Sequence, residues 1–440
     1  MIRYFDVDEF AYLHWAKQFS TGSTPYLDFF FYIPPGFLWI LAPLFWIGQG
    51  VGPVLAARGL AWGIFAGLCG AIGILLYMQR AKKGEYWLAF LPGIILAFLP
   101  LPLDKFLEIR PDTLATLLVV LGMIFQLRKQ WLPAGFWYGV SLVILPKSLP
   151  FVAVGALLGP RVLPGMMLPL GAFGAWLLSL GQWDTVFYSL ASLPFETSKI
   201  AKTFIMQPDL FFYPNTTYYG TAGWSRELVA NHTVWLIGLG VGIYRFFTKW
   251  DEWLISGALI ISVISFIYLY PLRHAQYLIP VAVFVAFYAA DAIVLLWQKV
   301  HKNNLGQKVF FVGFIAMIVG MFIVYTSGNS PKLAWTNTET LTEMRALWEY
   351  IPKDAYVLDL DGRTLYFKDP YYVCCLPFGQ YEPYLSRPLL SLSQALEEKN
   401  VQYIYEGQLG RVNTLSVADQ AYIREHYQID SVIPGLLTRQ

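Results

Sequence analysis

DVDEFAYLHWAKQFSTGSTPYLDFFFYIPPGFLWILAPLF, residues 6–45, decides how the rest of the chain is read. It begins with Asp6, Asp8 and Glu9 in four positions, continues into a helical stretch at 10–19, and ends in an apolar run at 34–48 that starts on Pro34 and Pro35 and contains Pro43. In the helical stretch, Phe10, Leu13 and Trp15 have the spacing to lie on a membrane, with His14 and Lys17 turned to polar surroundings. If residues 34–48 cross a membrane, the acids and the later loops fall on opposite sides. If they lie at the interface, the acids share a side with a specific group of cations. The run is short for a ~30 Å hydrocarbon layer and rich in proline, which favours the interface.

The remainder fits a polytopic membrane protein. The chain has 440 residues, 56% of them hydrophobic and 17% aromatic, with only 14% charged, and a mean hydropathy of +0.48; these values lie outside the soluble range. A net charge of +2, with no basic run interleaved with aromatics, excludes a nucleic-acid surface. Apolar runs at about 54–78, 86–103, 112–127, 131–145, 148–158, 162–180, 231–247, 253–270, 275–297 and 309–325 give roughly ten spans. A long polar and aromatic connection occupies 182–230, and from about residue 328 the composition is that of a soluble domain. The reading therefore divides the chain into a first loop with juxtamembrane helices (1–53), a transmembrane domain (54–327) and a C-terminal domain (328–440).

Charge asymmetry sets the orientation, because cytoplasmic loops are enriched in Lys and Arg. With 34–48 at the interface, Arg80, Lys82, Lys83, Arg128, Lys129, Arg161, Arg245, Lys249, Lys299, Lys302 and Lys308 collect on one side, taken as cytoplasmic. The N-terminus, the long loop and the C-terminal domain are then outside. The opposite short loops and helix ends hold only Arg58, Lys105, Arg110, Lys147 and Arg273, and four of these stand beside acids or aromatics in LDKFLEIRPD, LPKSLP and YPLRHAQY. Single charges at helix ends snorkel to headgroups; a group of them on one face with the acids suggests a partner or substrate.

The C-terminal region alternates helical stretches (TETLTEMRALWEYI, SLSQALEEKN, SVADQAYIREHY) with strand-like runs (AYVLDLDG, YYVCCLPF, VQYIYEG), the pattern of a small α/β domain. In VLDLDGRTL, Asp359 and Asp361 have a spacing used by aspartate-based phosphatases, but no later lysine or acidic motif accompanies them, and closure of a strand in a turn explains them. Gly238, Gly240 and Gly242 lie inside an apolar span, outside the strand–turn–helix context of a dinucleotide site. Gly59, Gly63 and Gly67, four apart, are read as helix-packing positions. Cys69, Cys374 and Cys375 are read as structural. The sequons at Asn215 and Asn231 carry little weight.

Taken in order, the Asp8–Glu9 pair with FAYLHWAKQFSTGSTPYLDFF, then Pro34–Pro35, Arg58, EIRPDTLATLLVVLGM, GVSLVILPKSLPFV and LRHAQYLIPVAVF resemble the GT-C superfamily of integral membrane glycosyltransferases, and within it the branch of protein O-mannosyltransferases and bacterial lipid A aminoarabinose transferases. Each piece is a loose pattern; the series in family order carries the resemblance. It implies a GT-C-like fold and inverting transfer of a sugar from a polyprenyl-phosphate carrier to an acceptor hydroxyl on the outer side of a bacterial plasma membrane. The acceptor is a lipid, glycan or protein.

The residues meet the needs of that reaction. A hydroxyl nucleophile requires a carboxylate to take its proton, and Asp8 is the candidate base. The departing phosphate requires fixed cations, for which Arg110, Lys147 and Arg273 are candidates, with His274 and Tyr277 as further contacts to phosphate or sugar. Glu9 orients the base or the acceptor, or caps the helix; Asp112 organises its loop. Glu9 and Asp112 are also the carboxylates a divalent cation would use, since relatives differ over metal. His14, Asp28 and Arg58 are assigned to positioning. Ile33 stands where many relatives carry Lys before the paired prolines, so one phosphate contact is missing. The resemblance also implies a transmembrane helix ahead of the acidic loop; Met1 stands only seven residues before Asp8, so either the start codon is assigned too late or the chain functions without that helix. Two other classes remain: a transporter or flippase, which would carry intramembrane charges and an inverted repeat, and an inactive relative that binds envelope glycan intermediates.

Overall fold

The computed structural model describes residues 3–80, 85–99, 105–199, 226–270, 275–329, 334–373, 384–387, 391–407 and 410–440. It is a helical membrane bundle joined to a small mixed domain. The described parts of all ten apolar runs are helical. Among the described residues, five helices are long and apolar enough to cross a membrane: Val51–Arg80, Pro160–Ser179, Trp250–Leu269, Gln276–Val300 and Asn304–Ile323. The others divide into shorter apolar helices, Tyr86–Ala97, Pro111–Leu127, Trp131–Ile144 and Pro146–Leu158, and the helix Arg226–Thr248. Proline sets these breaks, because it removes an amide donor and clashes with the preceding turn. Pro146 and Pro160 each open a single 3-10 turn at either end of the helix Leu149–Leu158.

The run at 34–48 forms a helix Gly36–Leu41 followed by a 3-10 segment Ala42–Trp46. At 1.5 Å per residue its length is on the order of 17 Å, about half a hydrocarbon layer. Trp46 and Ile47 at its end are exposed, as an interfacial segment requires.

Helix packing relies on glycines other than those read from sequence. Gly63 faces open space and Gly67 makes only an ordinary contact with Leu117. The close approaches occur where Trp131–Ile144 crosses Leu163–Ser179: a Cβ on Gly135 would lie 1.9 Å from the Val162 carbonyl oxygen, and one on Gly165 would lie 2.2 Å from that of Leu132. The four-residue spacing was present at 59–67, but which face meets a neighbour is a tertiary property. Gly238 packs against Val285, and Gly242 against Leu259 and Tyr288, while Gly240 faces open space.

Charges gather at the two ends of Val51–Arg80, on the order of 33 Å apart between Arg58 and Arg80. At the Arg80 end, Asp291 accepts from Arg80 Nε at 2.6 Å and Arg245 Nε at 2.9 Å, and Glu252 pairs with both arginines. Two cations and two anions thus close four helical segments into one neutral knot. Arg80 and Arg245 read from sequence as loop charges; their partners Asp291 and Glu252 were not apparent.

The C-terminal domain contains a four-stranded sheet in the order β1 (Val357–Asp359), β2 (Tyr403–Tyr405), β4 (Leu436–Arg439), β3 (Tyr427–Ile429). β1 and β2 are parallel, with the helix Leu392–Glu398 between them in sequence, as ALEEKNVQYIYEG suggested; the other pairs are antiparallel. The run 371–378 forms no strand over its described residues, 371–373, and Cys374 and Cys375 lie outside the described residues. Asp359 folds back on its own turn, accepting from the amides of Asp361 (2.7 Å), Gly362 (2.9 Å) and Thr364 (2.6 Å). That is the turn-closing use of aspartate expected from VLDLDG.

The first helix, α1 (Val7–Ser20), is enclosed rather than spread on a membrane: Phe10 and Leu13 are fully buried and Trp15 nearly so. Aromatic neighbours surround it, with Trp15 edge-on to Phe31 and Tyr12 edge-on to Phe37, and the C-terminal domain closes over it. The exposed apolar face assigned to α1 is therefore corrected, because the stripe finds protein instead of lipid.

Candidate active site

The acids at the start of α1 terminate the helix and then reach beyond it. Asp6 is the N-cap, accepting from the Asp8 amide at 3.0 Å, and Glu9 returns the bond by accepting from the Asp6 amide at 2.9 Å. The same Glu9 carboxylate receives Arg58 Nη2 at 2.6 Å and the Ile109 amide at 2.9 Å, entirely buried. It fastens the N-terminus of α1 both to the first long helix and to the 105–110 loop. Burial pushes the Glu9 carboxyl up to about 7, against the pull of the Arg58 guanidinium.

Beside this pair lies a second set of charges. Glu108 accepts from Lys105 Nζ at 2.9 Å, Arg110 Nε at 2.7 Å and Arg3 Nη2 at 3.2 Å. Lys105 also donates to Asp6 at 2.9 Å, and Arg110 pairs closely with Asp8. Burial acts to raise the Asp6 carboxyl, but Lys105 and Arg110 outweigh it and hold the group well below the usual carboxylate range. Four acids (Asp6, Asp8, Glu9, Glu108) thus meet four bases (Arg3, Arg58, Lys105, Arg110), so this end of the bundle is locally neutral. Asp8 differs from its neighbours: its side chain is 48% exposed, against 4% for Arg110 and none for Glu9 and Glu108. It is the most open carboxylate of the cluster, ahead of Asp6 at 25%.

Arg110 and Asp112 flank Pro111, at the start of Pro111–Leu127. Asp8, held by Arg110, therefore stands at the same helix end from which Asp112 enters a narrow cleft, about 20 Å³ in volume. Asp112, Lys147, Tyr270 and Tyr277 make the polar wall of this cleft; Val119, Phe151 and Phe284 are among its apolar lining. Lys147 projects from the Pro146–Ser148 turn with Nζ 3.7 Å from the centre of the Tyr277 ring and 5.9 Å from that of Tyr270, a geometry that stabilises the ammonium without neutralising it. The Tyr270 hydroxyl donates to the Lys147 carbonyl at 3.3 Å. Tyr12 of α1 shares the field of Asp112, Arg110 and Asp8; burial pushes its hydroxyl well above the ordinary tyrosine value, and the neighbouring acids push in the same direction.

The structure thus places Asp112, Lys147 and Tyr277 in the wall of the cleft and pairs Asp8 with Arg110, two residues before Asp112. Arg273 and His274 lie outside the described residues. Arg58 donates to Glu9 and to the Tyr4 carbonyl, the latter at 3.2 Å, and does not line the cleft. Asp28 is exposed and accepts from the Thr24 amide at 2.6 Å, fixing its own turn. His14 faces the C-terminal domain, bonding Asp369 at 2.8 Å. A metal held by Glu9 and Asp112 does not fit: both Glu9 oxygens already receive N–H donors. No cluster of three or more His, Cys, Asp or Glu able to hold a metal ion occurs among the described residues. Sequence reasoning passed over Asp6 and Glu108 as partners, and Tyr12 and Tyr270 as neighbours of the cleft. For Glu108 the available signal was its place between Lys105 and Arg110 in KFLEIR.

No protein-family model matches the chain, and no curated protein sequence matches it. Among solved structures it resembles the crystal structure of ArnT from Cupriavidus metallidurans in the apo state, with 14% identity, a TM-score of 0.56 and coverage of 92% of this chain and 88% of that one. It also resembles the crystal structure of the same protein bound to undecaprenyl phosphate, with 14% identity, a TM-score of 0.56 and coverage of 94% and 92%. Membrane bundle and C-terminal domain are matched together, and the chain has the polytopic fold of these ArnT structures.

Proposed function

We propose that the chain transfers a sugar from a polyprenyl-phosphate carrier to an acceptor hydroxyl, with inversion, at the outer face of a bacterial plasma membrane. The observation that carries this reading is the juxtaposition of a half-exposed carboxylate, Asp8, with an apolar-lined cleft whose polar wall holds Lys147 on Tyr277. A lipid phosphate needs both parts of that cleft, and the solved ArnT structure bound to undecaprenyl phosphate supports the ligand class. In the reaction, the acceptor oxygen bonds to the anomeric carbon as the carbon–oxygen bond to phosphate breaks, and the bonding electrons leave on phosphate. Asp8 takes the acceptor proton. Lys147 offsets the charge that accumulates on the phosphate, and Arg273, which lies outside the described residues, is proposed for the same role. Arg110, already engaged by Asp8, Asp6 and Glu108, holds the base; Glu9 and Arg58 hold the helix that carries it. The sharing of α1 and the 105–110 loop by one neutral cluster at the end opposite the Arg80 knot favours an enzyme site over a transport path through the bundle.

Membranes or purified protein supplied with radiolabelled polyprenyl-phosphate sugars should transfer label to lipid, glycan or protein. Lys147→Ala should lower that transfer by about 10²-fold or more, the scale for removing one donor to a developing anion, whereas Lys147→Arg retains part of the rate. Equal rates for wild type and Lys147→Ala would remove Lys147 from the phosphate site. The orientation has its own test: cysteines replacing Lys129 and Gln182 should react with a membrane-impermeant reagent from opposite sides, Gln182→Cys from outside. Labelling of both from one side would overturn the arrangement.

A further inference from the structure

The C-terminal domain grips α1 at one polar point. The Asp369 carboxylate receives His14 Nε2 at 2.8 and 3.0 Å and Gln18 Nε2 at 2.6 Å. His14 and Gln18 are four apart, on one face of the helix, and His14 is wholly buried. Around the grip the contact is aromatic and backbone: the Phe30 amide donates to the Tyr372 carbonyl at 2.8 Å, the Tyr372 hydroxyl donates to the Tyr26 carbonyl at 2.7 Å, and the Arg363 guanidinium lies 5.4 Å from the centre of the Phe10 ring. Such contacts attach the domain, but apolar burial is non-directional. One carboxylate held by two side chains on one helical face fixes the rotation of that helix.

We propose that Asp369 is a positioning residue for Asp8, acting through His14 and Gln18 so that the C-terminal domain sets the rotation of α1 and thereby the aim of its first turn. This rests on the reading of Asp8 as the base. The lever is short and stiff: Asp8 lies about 9 Å along the axis from His14. Side-chain tips stand roughly 6 Å from a helix axis, so a rotation of about 10° moves the Asp8 carboxylate by ~1 Å. A displacement of that size costs about 10²-fold in a pre-organised reaction. The groups facing His14 support a charged grip: burial opposes the imidazolium, Asp369 favours it and then Asp359, Lys17 opposes it weakly, and the net direction is upward.

The test compares Asp369→Ala, Asp369→Asn and Gln18→Leu with wild type, reading kcat and KM for the donor together with hydrogen–deuterium exchange over residues 7–20. Asp369→Ala should lower kcat 10- to 100-fold with KM changed less than threefold, and α1 amides should exchange faster. Asp369→Asn, which still accepts from both side chains, should recover most of the rate; Gln18→Leu, which keeps the carboxylate and His14, should fall between. Tyr350→Phe removes only a surface bond to Asp430, 2.9 Å long, far from α1 in sequence, and should leave both readouts unchanged. If Asp369→Ala does not fold, Gln18→Leu and Asp369→Asn decide the matter, and wild-type kcat in Gln18→Leu overturns the proposal. So does Asp369→Ala with wild-type kcat, whatever its exchange. A wild type that transfers no sugar defeats the functional reading instead; exchange in the Asp369 variants then reports whether the grip on α1 exists.

Discussion

Asp8→Asn should lower sugar transfer by about 10²–10⁴-fold, the range for loss of a general base, while leaving the fold and donor binding intact. Asparagine has nearly the same shape as aspartate and can still accept from Arg110, so the substitution removes charge and proton affinity with little displacement. Arg110 would keep Glu108 at 2.7 Å and Asp6 at 3.5 Å, so its buried charge stays paired. The prediction is specific to Asp8 because its side chain is 48% exposed while those of Glu9 and Glu108 are closed off. It separates the roles within the acid run: Asp8→Asn acts on kcat at unchanged thermal stability, whereas Glu9→Gln acts on stability. Transfer of radiolabel from a polyprenyl-phosphate sugar is the measurement. If Asp8→Asn transfers as wild type does, the base lies elsewhere, and Asp112 in the cleft wall becomes the next carboxylate to test.

The sequence carried the membrane class and the separation of Arg58, Lys105 and Arg110 from Arg80 and Arg245 further than the details of the site. Apolar runs announce helices because a chain in lipid must satisfy its backbone internally, and the helices formed where the runs were. The charges at 58, 105 and 110 also stood out, because cations break a strong local trend on that side. What could not be read was pairing. Asp291, Glu252 and Asp369 find partners 172 to 355 positions away in the chain, and no local periodicity encodes such a distance. The aromatic face of α1 was misread for the same reason: an amphipathic stripe records only that a surface is covered, by lipid or by protein. β3 and β4 were missed because they are strands of three and four residues at the chain's end, too short to establish an alternation.

The Glu9–Arg58 pair should respond unequally to loss of its two members, in a way that pH exposes. Glu9 is raised to about 7 in the fold from an ordinary value of 4.5, with burial the largest cause. Between those values the folded chain binds more protons at this site than the unfolded chain, so stability contributed by Glu9 falls as pH rises through that window. Arg58→Met removes the cation that opposes burial. Glu9 then keeps its proton to higher pH, so the variant should be close to wild type at pH 5.5 and destabilised by about 3–5 kcal/mol at pH 8.5, where the buried carboxylate must ionise alone. Glu9→Gln leaves a guanidinium that no accessible pH discharges, in a place where it is fully buried. Its cost, about 3 kcal/mol, should be nearly the same at pH 5.5 and 8.5. Combining the two changes removes both charges and should be less harmful than Glu9→Gln alone, the coupling expected of contacting residues. Thermal unfolding in detergent at pH 5.5, 7 and 8.5 measures all three variants. An Arg58→Met variant equally destabilised at every pH would mean that Glu9 stays ionised throughout, and that Arg58 and the amides of Asp6 and Ile109 together outweigh its burial.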